Sequence, residues 1–291
     1  MKTYNPFLFA LVVLLLATAC DQVFDSPDDR GLNEYFDTSW AKNDLWDDGQ
    51  AEVAIYNAAR TIYNKPRYFD YVYILVKEDF NIEFGVKTDD YERTDLYEVM
   101  KVNQFADIPT DNYPYHFLTS IFFHRNNPVQ IHKFTNSSQE WCGNTFKMLK
   151  EKGSQLEYTY HSYWDGQGDD TKMLDATPLW EDQLPYTLRT LKFKDKLWFR
   201  MPVYATQINS RADMPRVYDA EFSVAPLEAI DSLPGGLPQQ DTWRVTVQLD
   251  EEKINQYIFT QTYPNILVEM VAWDGRKLRL KDYKRSKYWE R

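Results

Sequence analysis

The chain has 291 residues, which suits one large domain or two small ones, and its 43% hydrophobic and 26% charged content supports a buried core and argues against wholesale disorder. The formal net charge of −11 gives a surface that repels polyanions, so nucleic acid is not expected as a partner. Aromatic residues reach 16%; rings of this kind collect on large half-buried sheets, and the same rings would suit a groove for sugar or lipid.

In chain order the first element is an address. Lys2 supplies a positive charge, residues 7–17 are an unbroken apolar run, and Ala17-Thr18-Ala19-Cys20 sets small residues just before a cysteine. The run falls short of the roughly 20 apolar residues that cross a bilayer, so residues 1–19 read as a secretory signal. The tetrapeptide resembles a lipobox, with Ala17 where Leu is usual, which makes Cys20 the expected lipid-attachment residue. An acyl chain contributes roughly 0.8 kcal/mol per buried CH₂, so more than one chain makes attachment effectively permanent. Residues 20–45 are expected to be an acidic tether: nine acids between 21 and 48 face only Arg30 and Lys42, and anionic headgroups repel such a segment. The expected location is the cell envelope, with the outer membrane, facing the periplasm or the cell surface, favoured over the inner membrane.

Residues 46–291 carry β signals almost throughout, and no Pro/Gly-rich linker divides them. Val53 and Ile55 alternate with Glu52 and Ala54, and an apolar run over 72–76 follows Asn64-Lys65-Pro66-Arg67, which predicts a hairpin over 50–77. A strand is expected over 96–104, and a second hairpin from 117–124 and 129–135 around Asn126-Asn127-Pro128. Leu156, Tyr158, Tyr160, Ser162 and Trp164 repeat with a period of two that a helix could not bury. The acidic run 165–170 reads as a solvated turn, because its spacing departs from a calcium loop.

Helical spacing shows once, with Thr177 as N-cap, Pro178 at the first position, then Trp180, Leu184, Leu188 and Leu191, and Pro185 dividing the segment. Strands resume over 197–204, 217–224 and 243–249, and Asp274-Gly275 closes a hairpin of 266–273 with Leu278 and Leu280. The basic residues after 276 would shield an edge strand. The expected fold class is mainly β: a large antiparallel curved sheet or incomplete barrel, with one short broken helical segment able to plug it.

Chemistry-bearing motifs are sparse. There is no phosphate loop, no nucleophile elbow and no dinucleotide fingerprint. A nucleophilic reading of Cys142 pairs it with His132 or His116 as base and Glu140 as orienter. If the segment is extended, Cys142 instead shares a face with Phe146 and Met148 and is an inert core thiol. The histidines, His116, His124, His132 and His161, show no ligand spacing, so neither a metal nor a cofactor is expected.

Three stretches, Asp48-Gly49-Gln50-Ala51-Glu52, Ser137-Ser138-Gln139-Glu140-Trp141-Cys142-Gly143, and Asp274-Gly275 leading to Lys287-Tyr288-Trp289, together resemble a family of bacterial lipoproteins. Many of its members come from the Bacteroidota and carry the label "septum formation inhibitor Maf". The resemblance spans most of residues 46–290 and implies an envelope lipoprotein with no catalytic residues to carry over. Maf pyrophosphatases have a Ser-x-Arg phosphate-binding motif after the first strand; none stands here, so that activity is not implied.

The expected function is therefore non-enzymatic binding of an amphiphile, a glycan or a partner protein on a curved sheet, with the membrane as partner only through the N-terminal lipid. The alternative is an envelope hydrolase or thiol enzyme centred on Cys142. An open apolar cavity behind Tyr158 and Tyr160 would favour a carrier, and a filled core an interaction protein.

Overall fold

The structure is a computed structural model that describes residues 32–228 and 233–290. The expected signal, Cys20 and the tether as far as residue 31 lie outside the described residues. Among the described residues no helix is long and apolar enough to cross a membrane.

Sixteen strands form one sheet among the described residues. The first nine are β1 (Ala51–Ile62), β2 (Lys65–Asn81), β3 (Val86–Lys87), β4 (Leu96–Ile108), β5 (Tyr115–His124), β6 (Ile131–Glu140), β7 (Gly143–Lys152), β8 (Gln155–Ser162) and β9 (Asp169–Asp175). Seven more follow: β10 (Leu179–Trp180), β11 (Trp198–Tyr204), β12 (Val217–Leu227), β13 (Thr242–Asp250), β14 (Lys253–Thr260), β15 (Leu267–Val271) and β16 (Lys277–Ser286). The alternation of the sequence is what the sheet sorts: on β5, Tyr115, Phe117, Thr119, Ile121 and Phe123 are buried while the residues between them are not.

Neighbouring strands follow the chain as a meander, apart from the seam where β16 pairs with β1, the parallel pair β10 and β11, and β3, which pairs with β2 off the main path. The C-terminal hairpin of β15 and β16, expected at an edge, is therefore held on both sides, by β14 and by β1. The sheet is open. Its two ends, β9 and β10, are consecutive in sequence, and the Tyr204 hydroxyl donates to the Asp175 carbonyl oxygen at 3.2 Å close to that gap.

The expected helical segment is present as a plug. Extended Leu179 and Trp180 pair with β11, which delays the helix to a 3-10 turn, Glu181–Gln183, followed by an α turn, Leu184–Thr187, and a second 3-10 turn, Leu188–Thr190. Pro185 stands in the first turn of the α piece, where its missing N–H costs nothing. Every residue from 178 to 191 is buried. Contacts reach both halves of the sheet: the Gln104 amide donates to the Asp182 carbonyl oxygen at 3.0 Å, and Asn255 donates to Glu181 at 3.0 Å.

The folded body also takes in residues 33–45, which the charge run assigned to the tether. Phe36 and Trp40 are buried, Phe36 bridges to Leu191, and the Asp37 N–H donates to the Thr190 carbonyl oxygen at 2.7 Å. Glu34 and Asp44, on either side of these rings, are exposed and Asp37 between them is half-buried, so charge counting over the window hides an apolar anchor that docks on the plug.

Candidate functional site

Strands that run as a meander bring alternate turns to the same end of the sheet. At one end lie the turns β1–β2, β4–β5, β6–β7 and β8–β9, which carry Tyr63, Tyr113, Trp141 and Tyr163. Tyr63 is 66% exposed, Trp141 78% and Tyr163 60%, so these rings form an aromatic rim. The rim is ordered by its own contacts: the Trp141 and Tyr113 rings stack 5.7 Å apart at 15°, and the Tyr63 and Tyr115 hydroxyls are hydrogen-bonded. Gly143 is required here, because a Cβ at that position would collide with the Tyr163 ring. Beside the rings, Asp111 accepts from Lys65 at 2.8 Å and from Arg67 at 2.7 Å, giving the rim a charged border.

Cys142 sits in the β6–β7 turn and is exposed, so it is not the buried core thiol that strand parity suggested. The inward side chains of β7 are Thr145, Lys147 and Leu149, while Phe146 and Met148 lie on the other, half-buried face. Of the residues proposed as a thiol site, Glu140 and His116 lie at the same end of the sheet as Cys142, while His132 does not. His132 stands near the start of β6, eight residues before Glu140, roughly 26 Å along an extended strand. His116 directs Nδ1 to Asp107 at 2.6 Å, and Glu140 is engaged by Ser210 and Tyr115. What meets the Cys142 Sγ is the Tyr113 hydroxyl, at 2.9 Å. Its hydrogen bond to Cys142, followed by burial and by Tyr63, holds that phenol above its ordinary range, which makes it a poor base at neutral pH.

The space behind the Tyr158 and Tyr160 strand is occupied by side chains. Tyr158 and Tyr160 are buried, and the Tyr158 hydroxyl donates to the Gln207 side chain at 3.1 Å. A cavity of about 50 Å³ lies between the plug and the sheet, lined by Ala58, Ala106, Ile208, Glu181, Asp182 and Arg276 among others. It has room for a few waters and none for an acyl chain. Its two carboxylates are both hydrogen-bonded. Glu181 accepts from Asn255 at 3.0 Å, from Arg276 at 3.1 Å and from the Thr206 N–H at 3.1 Å; Asp182 accepts from the Gln207 N–H at 2.6 Å and from the Thr206 hydroxyl. Burial pushes the Asp182 carboxyl up, against those donors and Arg276. Five hydrogen bonds to these two carboxylates fasten the plug to the 206–207 segment, to β14 and to Arg276.

A third cluster escaped the sequence. At the end of the sheet opposite the rim, His124 on β5, His132 on β6 and Glu151 on β7 converge, with their nearest ligand atoms all within 4.8 Å of one another. His132 Nδ1 lies 2.9 Å and His124 Nε2 3.4 Å from Glu151 Oε2. Burial alone would raise the Glu151 carboxyl, but the hydrogen bonds and charges of the two imidazoles outweigh it and hold the group at about 2. The cause of the convergence is a β-bulge: Phe122 pairs with Lys133 and Phe123 with Ile131, so His132 is the extra residue and leaves the core face. Strict alternation would have turned it inward, which is why spacing did not reveal it.

No family model, no curated protein and no solved structure matches the chain.

Proposed function

We propose that the chain is a non-enzymatic lipoprotein of the cell envelope, anchored by acyl groups on Cys20 and related to the lipoprotein family that its Ser137 to Gly143 run resembles. Its folded body binds a partner protein through the aromatic rim. The observation that carries this reading is the Trp141 indole, 78% exposed yet stacked on Tyr113. Rigid, exposed Trp and Tyr rings inside a charged border are the anchors from which protein interfaces draw most of their energy. The buried, hydrogen-bonded Tyr158 and the cavity of only about 50 Å³ beside the plug favour an interaction protein over an amphiphile carrier, and the group that meets the Cys142 Sγ, the Tyr113 hydroxyl, is a poor base for a thiol enzyme.

The test is photo-crosslinking in intact envelopes, with a photoreactive residue at position 63 of the full chain. A discrete crosslinked protein is expected, and Trp141→Ala should reduce it at least about tenfold, in line with the roughly 2 kcal/mol or more of an anchor residue, at unchanged melting temperature. A Cys20→Ser chain, released from the membrane, should lose the crosslink as well. Equal crosslinking in Trp141→Ala, or retention on purified glycan strands alone, overturns the proposal.

A further inference from the structure

We propose that His124, His132 and Glu151 form a binding site for one divalent transition-metal ion, Zn²⁺ first among them, with a further coordination position open to solvent. Two imidazoles and a carboxylate are a ligand set that Zn²⁺ accepts, and three protein ligands with one position free mark an open site rather than a closed structural one.

The spacing agrees with a shared ion. Donor atoms each about 2.0–2.1 Å from one cation lie about 2.9 Å apart at a right angle and about 3.4 Å apart at the tetrahedral angle. The two nitrogen-to-oxygen separations at Glu151 are 2.9 and 3.4 Å. The imidazole rings lie 4.2 Å apart between centroids, close enough to face the same point.

Outer contacts orient each ligand. The Tyr97 hydroxyl lies 2.8 Å from His132 Nε2. In the tautomer whose Nε2–H donates to that oxygen, the Nδ1 lone pair faces Glu151, where the ion would sit. The Gln130 amide donates to Glu151 Oε1 at 2.9 Å, which leaves Oε2 as the ligand atom. Arg125, which shares the recess with Lys42, is neutralised by Asp47 at 2.6 Å and Glu98 at 2.9 Å. Access is open, since His124 retains 38% of its side-chain exposure and lines a surface recess with Tyr97, Arg125 and Asn126. The β-bulge supplies an independent reason, because a strand irregularity that turns one histidine out of the core beside a second one re-aims a side chain toward a task.

The experiment is a ZnCl₂ titration of the full chain at neutral pH, after EDTA dialysis and with thiols blocked by iodoacetamide so that Cys142 does not contribute. One saturable equivalent is expected, with a rise in melting temperature. His132→Gln and Glu151→Gln should each weaken binding about tenfold or more, as loss of a ligand demands at least what loss of an outer partner does. His124→Asn, at the most exposed position of the three, should do the same without loss of fold. A CoCl₂ titration of the unmodified sequence gives a second reading that needs no variant, since low-symmetry coordination by nitrogen and oxygen raises the visible absorption well above that of the pale hydrated ion. Absence of a saturable equivalent, a cobalt spectrum identical to that of the hydrated ion, or unchanged stoichiometry and affinity in all three variants overturns the proposal.

Discussion

Lys147 lies in the middle of β7 with its side chain turned into the body of the protein, where its ammonium donates to the carbonyl oxygens of Gln207, Asn209 and Arg211. Three carbonyls on one loop meet the three N–H bonds of the cation, so the side chain ties residues 207–211 to the sheet. Burial pushes its pKa down to about 7, with Arg60 adding to the fall and Asp182 and Asp213 opposing it. An unfolded lysine titrates near about 10.4, so between the two values the unfolded chain binds the extra proton and stability rises with pH. The gain is complete above the unfolded value and is lost as pH falls through about 7. Urea midpoints should therefore climb across this window, and Lys147→Met should flatten the climb while losing about 1–3 kcal/mol for carbonyls left without a donor. Identical slopes in the two proteins would show that Lys147 does not titrate there.

At the scale of elements, the plug is joined to β1 by a buried ion pair. Arg189 Nη1 and Nη2 donate to the two Glu52 oxygens at 2.6 and 2.8 Å, its Nε donates to the Pro264 carbonyl oxygen at 3.0 Å, and its guanidinium lies 5.1 Å from the centroid of the Trp40 ring. Burial opposes the Arg189 charge, and Glu52 more than restores it, so the group is held above its ordinary range. Removal of one partner leaves a buried charge uncompensated, which costs about 3–5 kcal/mol. Arg189→Met should lose that much by urea denaturation, and the double variant Glu52→Leu, Arg189→Met should recover part of it. Additive losses would mean that the two side chains do not act as a pair.

The whole molecule depends on the seam between its last and first strands. β16 pairs with β1 over residues 51–59 and 277–286, and its other edge holds β15. A chain ending at Gly275 would expose both of those neighbours and delete Arg276, which holds Glu181 of the plug. It should lack a cooperative melting transition and aggregate through the free edges. A truncated chain that melts cooperatively, with the near-UV spectrum of the parent, would show that the seam is dispensable.

Period-two alternation, turn residues and one helical stretch were enough to read a mainly β chain with a short helical segment, because each is a local pattern repeated over many residues. Val53, Ile55, Tyr158, Tyr160, Leu278 and Leu280 all lie on the strands that their spacing predicted. Tertiary structure decided the rest. β16 belongs beside β1 rather than at an edge, since pairing partners far apart in sequence leave no local mark. Phe36 and Trp40 are core despite their acidic neighbours, and Lys147 is inside while Phe146 and Met148 are not, because carbonyls from a distant loop solvate the ammonium. His124, His132 and Glu151 meet because one extra residue in a strand reverses the face of a side chain, a change that only the register of three paired strands can express.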